Sequence, residues 1–428
     1  MKTIIKNGRV INPATDFDAQ ADVCIADDKI IAVGKAPEGF VADQKIDASN
    51  QWVFPGIVDL CARLRQPGQE HKATIASEVA AASKAGITTL CCPPDTQPVI
   101  DNPTVVEMIN HLAEESDKAR VVTLGALTQN LEGVQISEMM ALKSAGVVGV
   151  SNALKAVKST LVMRRAMEYA SSHNLTIFLF AQDPWLKGDG SAHEGAMSTR
   201  LGLEGIPEIA ETIAVARDLA LIEQTGVRAH FYHLSTAKAL RMIARAKYDG
   251  LPVTADVSAH QLHLTDMELG EFSAMYHVQP PLRSIRDRDS LRRGVNEKNI
   301  NAICSDHQPH DEDAKIGPFA ATEPGISSLE SLLPLTMRLV SENVLNLSQA
   351  IAALTFEPAK ILGLDVGKVE SGSTADVCVY DPKSDWTLTK DSMLSAGHNS
   401  PFLGWEFQGQ VSHTLFNGKL VYSRDTVR

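Results

Sequence analysis

The stretch from Trp52 to Gly68, "WVFPGIVDLCARLRQPG", decides the fold. Its first half, "VFPGIVDL", is an apolar run of strand length with no period-2 alternation, as expected of a strand buried on both faces. Polar side chains begin where that strand should stop. Cys61, Arg63 and Arg65 follow at intervals of two, which puts them on one face of an extended chain.

Seven further apolar runs of the same kind follow: "GITTLCC", "RVVTLGAL", "GVVGVS", "LTIFLF", "RAHFYHL", "PVTADV" and "INAICS". Helical patterns with proper punctuation separate them. Asn102 is placed as an N-cap with Pro103 at the first helical position, and Gly86 and Gly146 end helices just before the next strand. Eight strand-then-helix units predict a parallel (β/α)8 barrel of the TIM type over residues 55–364, whose functional side chains come from the C-terminal strand ends.

Both chain ends read differently. Residues 1–54 alternate short strand-like runs with turns, with Asn7-Gly8 and Asp27-Asp28 as hairpin signals. Residues 365–428 repeat the pattern in "ADVCVYDP", "TLTKD" and "QVSHTLFNGKLVYS", with Asn417-Gly418 as a further turn. The two ends are expected to form one small discontinuous β-sandwich domain.

Composition bounds the function. In 428 residues, 44% apolar and 21% charged content is that of an ordinary globular protein. The net charge of −12 and the lack of a basic run argue against nucleic acid as a partner. The start "MKTIIKNGRV" has no apolar signal core and no stretch is long enough to span a membrane, so a cytoplasmic location is expected. Of six cysteines, Cys24, Cys91, Cys304 and Cys378 lie in apolar surroundings, which predicts reduced core thiols. There is no CxxC pair, GxGxxG loop or GxSxG elbow.

Several motifs carry a resemblance: "PGIVDLCARLRQPGQEHKATI", "CCPPDTQPV", "LGLEGIPEIAE", "AHFYHLSTAKAL", "QPPLR", "SDHQPH", "EPGISSLES" and the closing "PFLGWEFQGQVSHTLFNGKLVY". From end to end the chain resembles a dihydroorotase of the amidohydrolase superfamily. Active relatives of that kind hold divalent metal with an HxH pair after the first strand, a carboxylate after the fourth, histidines on the fifth and sixth, and an aspartate on the eighth. Such a metal lowers the pKa of bound water enough to make a nucleophile at neutral pH.

The resemblance places the HxH pair on Cys61, Ala62 and Arg63, the fourth-strand carboxylate on Asn152 and the fifth-strand histidine on Phe180. His233 and Asp306 are retained, Asp306 as the remnant of the catalytic apparatus. Two retained ligands fall short of the three a catalytic zinc requires, so no catalytic metal is expected. A zinc ion held by Cys61, His233 and Asp306 is the alternative, opposed by the fixed charge of Arg63. Because the first and eighth strands are neighbours in a closed barrel, Arg63 is expected to pair with Asp306.

The substrate pocket is altered in the same way. Arg65 matches the carboxylate-binding arginine, and Gln279 and His310 fall on pocket positions. Asp95 stands where an asparagine is expected, either repelling an anionic substrate or pairing with Arg65, and Ser328 replaces a glycine. His230 and His233 alternate on one strand, so at least one is expected to be a packed, hydrogen-bonded histidine. His260 resembles a family position and His263 is expected on a helix surface. His307 and His310, flanking Pro309, are expected to order a loop.

Three functions stay open. The resemblance implies a catalytically inactive subunit that associates with the aspartate transcarbamoylase catalytic chain in pyrimidine synthesis, as a homo-oligomer within a larger hetero-oligomer. The second is an active cyclic-amide hydrolase, of dihydroorotase or dihydropyrimidinase type, with a reduced or metal-free site. The third is a non-enzymatic relative of dihydropyrimidinase, disfavoured because no lysine stands at the fourth-strand position and Lys155 lies three residues beyond Asn152.

Overall fold

The structure is a computed structural model that describes residues 1–426. Eight parallel strands form the barrel: Ile57–Asp59, Ile87–Cys92, Arg120–Ala126, Gly149–Ser151, Thr176–Leu179, Ala229–Phe231, Val253–Ser258 and Ala302–Cys304. Each pairs with the next in chain order. The first and eighth strands meet just past their C-terminal ends, where Ala62 bridges His307. There the Arg63 N–H donates to the His307 carbonyl at 2.9 Å and the His307 N–H to the Cys61 carbonyl at 3.1 Å. Beneath that seam the Ser305 N–H donates to Asp59 Oδ1 at 2.8 Å. Burial pushes the Asp59 carboxyl up to about 6, with the Ser305 hydrogen bonds opposing it.

The helices between strands begin on side-chain caps that the sequence supplies. Thr74, Asn102, Ser159, Thr236 and Ser284 each accept a hydrogen bond from a first-turn backbone N–H, typically about 1 kcal/mol apiece. Gly86 and Gly146 follow their helices with φ of 80° and 106°, a backbone region in which a side chain is strained.

Both chain ends contribute to one mixed sheet. Its strands are Lys2–Asn12, Phe17–Ala26, Lys29–Gly34, Gln44–Asp47, Trp52–Pro55, Val377–Thr387, Glu406–Phe416 and Lys419–Ser423. The two ends join where Val377–Thr387 runs antiparallel to Trp52–Pro55. Alternate residues fill a core of Ile5, Val10, Val23, Ile25, Val53, Val377, Val379 and Leu415. The Asn417-Gly418 turn is present, with φ of 48° and 74°.

Two local expectations are corrected. "VFPGIVDL" is not one strand: Trp52–Pro55 belongs to the end sheet and Ile57–Asp59 opens the barrel. Gly56 makes the junction because the Thr88 side chain lies against it; a Cβ there would sit 2.2 Å from Thr88 Oγ1. Asn7-Gly8 is not a hairpin turn but an irregularity within Lys2–Asn12, where the pairing register shifts between Ile5 and Gly8. No helix among the described residues is long and apolar enough to cross a membrane.

Candidate functional site

The C-terminal strand ends bring Cys61, Arg63, Asn152, Phe180, His233 and Asp306 to one end of the barrel. Arg65, His233 and Asp306 have φ of 63°, 59° and 48°, a left-handed backbone that non-glycine residues adopt at a cost. Tertiary packing enforces this turn of the chain as each strand hands over to its loop.

Arg63 lies at the centre, 4% exposed. Its Nη1 donates to Asp306 Oδ1 at 3.2 Å and its Nε to Asp95 Oδ2 at 2.8 Å. Nη1 is also 3.8 Å from Cys61 Sγ, and Nη2 is buried without a hydrogen-bond partner. Gln308 Nε2 adds a 3.1 Å hydrogen bond to Asp306 Oδ1. One guanidinium thus joins two carboxylates that would otherwise be costly to bury. Asp95 therefore pairs with Arg63, not with Arg65 as one of the two sequence readings has it.

A second polar group comes from the sixth and seventh strands. Asp256 accepts the His233 N–H at 2.7 Å on Oδ1 and His230 Nε2 at 3.0 Å on Oδ2. His230 Nδ1 is 2.8 Å from Thr254 Oγ1, so His230 and His233 are both packed members of one network. Burial pushes the Asp256 carboxyl up, but the hydrogen bonds from the two histidines prevail and hold it well below the usual carboxylate range. Burial likewise opposes protonation of His233, yet Asp306 and Asp256 outweigh it and raise its pKa. His233 Nε2 lies 3.4 Å from Asp306 Oδ1 but is not aligned for a hydrogen bond.

Cys61, His233 and Asp306 present ligand atoms within 4.8 Å of one another, as do His233, Asp256 and Cys304. These donors do not fit a catalytic divalent ion. Cys61 Sγ lies 3.8 Å from Arg63 Nη1, so an ion held there would sit against a permanent guanidinium charge. Asp306 is already paired with a permanent cation. Asn152 accepts from Thr128 Oγ1 at 2.7 Å and donates to the Leu131 and Lys155 carbonyls, so its amide is spent on local backbone. Phe180 faces Tyr232 with ring centroids 6.0 Å apart and offers no donor.

The pocket positions are also internally satisfied. Arg65 donates to the Pro309 carbonyl at 2.9 Å and to Gln69 Oε1 at 3.2 Å, with Nη2 3.1 Å from His310 Nε2. Burial and then Arg63 lower its pKa to about 10, which leaves it charged at neutral pH. Gln279 donates to Gln182 Oε1 at 2.9 Å. Ser328 hydrogen-bonds His307 Nδ1 through its N–H and the Ser305 carbonyl through its hydroxyl. His307 Nε2 meets Glu78 Oε2 at 2.7 Å, which orders the closure loop. His263, expected on a helix surface, is instead 8% exposed, with Nε2 2.9 Å from the Leu335 carbonyl. The seventh-strand end feeds a buried 3-10 turn there, not a solvent-facing helix.

Three charged residues at the mouth escaped the sequence reading: Lys72, Lys315 and Glu323. Lys72 Nζ lies 2.5 Å from Glu323 Oε2. Asp256 was also unassigned, although a carboxylate inside the apolar run "PVTADV" signals a buried partner.

Comparison with known proteins agrees with this architecture. Residues 50–239 match the family described as dihydro-orotase-like. The chain is similar to the "Dihydroorotase-like protein" of Pseudomonas aeruginosa, 47% identical over 99% of this chain and 100% of that protein. It is 46% identical to the "Dihydroorotase-like protein" of Pseudomonas putida, covering 99% of each, and 41% identical to the "Dihydroorotase" of Syntrophobacter fumaroxidans, over 98% of this chain and 97% of that one. In fold it is similar to the L-hydantoinase of Arthrobacter aurescens, with a TM-score of 0.89 at 22% identity over 99% of this chain and 96% of that chain. The chain belongs to the dihydroorotase-like family of the amidohydrolase superfamily.

Proposed function

We propose that this dihydroorotase-like protein is a catalytically inactive subunit that assembles with the catalytic chain of an aspartate transcarbamoylase in pyrimidine synthesis. The observation that carries the inactive half of this reading is Arg63, whose guanidinium lies between Asp306 and Asp95 beside Cys61. A cation fixed to the backbone there neutralises the carboxylate that a catalytic metal would need, and it supplies neither a Lewis acid nor an activated water. The emptied ligand positions carry an amide tied to backbone at Asn152 and a packed ring at Phe180. The scaffold half rests on the family resemblance, together with a barrel, closure loop and end sheet that remain fully built around the altered mouth.

Two experiments test the two halves separately. Purified chain supplied with zinc is expected to show no dihydroorotate hydrolysis above background; zinc-dependent turnover removed by Asp306→Ala would overturn the inactive assignment. The chain is expected to co-elute with aspartate transcarbamoylase from a native extract. A transcarbamoylase that is fully assembled and active in the chain's absence would contradict the scaffold assignment.

A further inference from the structure

The outer face of one barrel helix breaks the pattern of its neighbours. An outer helix of a barrel buries one side on the strands and turns a polar side to water. Glu208–Thr225 does the first with Ala210, Ala214, Val215 and Ile222. On its other side it carries Ile209, Ile213, Ala216 and Ala220 at helical spacing, so the helix is apolar on both faces. Ile209 and Ile213 are 46% and 44% exposed. The carboxylates of this helix lie off the stripe: Glu211 and Asp218 are buried, while Glu208 and Glu223 stand at its two ends.

The stripe continues towards the barrel mouth. The short helix Pro184–Lys187 packs there against Glu208–Thr225, with the Asp183 N–H donating to the Ala210 carbonyl at 2.8 Å. It presents Leu186 and Trp185, the latter 76% exposed. An indole left in water beside an apolar stripe is the type of side chain that anchors protein–protein contacts.

Both edges of the stripe are basic. On one side Thr160–Ser172 runs beside Glu208–Thr225, joined to it by the Ser171 hydroxyl donating to the Thr225 carbonyl at 3.2 Å. Its outer face carries Arg164, Arg165 and Glu168. Glu168 takes Arg164 at 3.0 Å, which leaves Arg165 without an ion pair among the described residues. On the other side Ala237–Tyr248 contains no carboxylate and exposes Lys238, Arg241 and Arg245 along one face. Arg245 pairs with Asp249 at 2.7 Å; Lys238 and Arg241 form no ion pair among the described residues. These unmatched cations flank one apolar stripe on a chain whose net charge is −12.

The charges decide between occupants. A second copy laid stripe on stripe about any two-fold axis sets each basic edge against another basic edge, whichever way the helices run. An apolar ridge between carboxylates meets both features at once. We propose, resting on the subunit reading above, that this face is where the transcarbamoylase catalytic chain docks, through an apolar ridge flanked by Asp or Glu side chains. The stripe supplies buried area, and the basic edges supply steering and register.

The test mixes purified full-length chain with purified transcarbamoylase catalytic chain and measures affinity by calorimetry at rising salt, with light scattering of the chain alone. Wild type is expected to bind, less tightly as salt rises. Ile213→Asp, a change at an exposed position, is expected to weaken binding at least about thirtyfold with an unchanged unfolding midpoint and an unchanged oligomeric state of the chain alone. Lys238→Glu/Arg241→Glu is expected to weaken binding about tenfold and to flatten its salt dependence. Val41→Asp, at an exposed apolar position in the loop before Gln44–Asp47, is the control and should bind as wild type does. Wild-type affinity in either Ile213→Asp or the charge-reversed variant would overturn this inference and leave the proposed function standing. Failure of the wild type to bind transcarbamoylase would remove the proposed function and this inference together. A chain that is dimeric alone but monomeric as Ile213→Asp would give the face to a second copy. Binding to phosphatidylglycerol vesicles that Ile213→Asp abolishes would give it to a membrane, and either result overturns the proposal.

Discussion

The two halves of the barrel mouth differ in kind. On strands six to eight, His230, His233, Asp256 and Asp306 keep ligand-type side chains, with Asp256 hydrogen-bonded to His230 and to the His233 backbone and Asp306 3.4 Å from His233. On strands one, four and five the corresponding places hold a guanidinium, an amide and a phenyl ring: Arg63, Asn152 and Phe180. The retained half is fixed by its own hydrogen bonds, with Asp256 gripping both a side chain on its neighbouring strand and the backbone of His233. Its persistence therefore needs no bound ion. The altered half has become part of the packing, and the Arg63 guanidinium makes the ion pair that ties it to the retained half.

If that contrast is right, severing the crossing point has the largest effect. Arg63→Met leaves Asp306 and Asp95 without their cation and is expected to cost about 3–5 kcal/mol in denaturant unfolding. A loss below about 1 kcal/mol would mean that the two halves are not coupled through Arg63. Asp256→Asn attacks the retained half and is expected to cost about 2–3 kcal/mol while leaving the Arg63 pairs intact.

Acid sharpens the comparison next. His260, His263 and His277 are lowered by burial to about 4, and His310 to about 2. With folded pKa values below the unfolded value of about 6.5, the unfolded chain binds more protons throughout that window. Stability is present above pH 6.5 and drains away as pH falls towards 4, by on the order of 1 kcal/mol per histidine per pH unit. Raised His233 and the burial-raised carboxyls of Asp59, Glu211 and Asp218 oppose this trend. Urea unfolding at pH 7 and pH 5 measures the net slope, and greater stability at pH 5 would contradict these buried neutral histidines.

The smallest expected effect is on activity. Replacing Cys61 and Arg63 together by histidine restores the sequence pattern of the first strand, but Asn152 and Phe180 still leave the mouth short of donors. Zinc-dependent dihydroorotate hydrolysis in Cys61→His/Arg63→His should stay at background; measurable turnover would show that the altered half is one step from function rather than rebuilt.

Much of this arrangement was legible in the residues. Strand-length apolar runs, Asn102-Pro103 and the glycines at 86 and 146 mark the eight units because they act locally, through capping and backbone freedom. The Arg63 and Asp306 pairing follows from barrel closure once the fold is known. What local reading missed depends on contacts distant in sequence. Thr88 presses on Gly56 and splits one apolar run between two sheets. Asp95 reaches Arg63 rather than Arg65 because the Arg65 guanidinium is turned to Pro309 and Gln69. Glu323 meets Lys72 across 251 positions of chain, which no spacing rule connects.

The central claim is that a guanidinium has taken up the carboxylate a catalytic ion would need. Metal content of the purified chain after saturation with zinc and gel filtration measures it directly. The account predicts a substoichiometric residue of zinc, unchanged in Cys61→Ser and His233→Ala. One zinc per chain, lost in both variants, would contradict it.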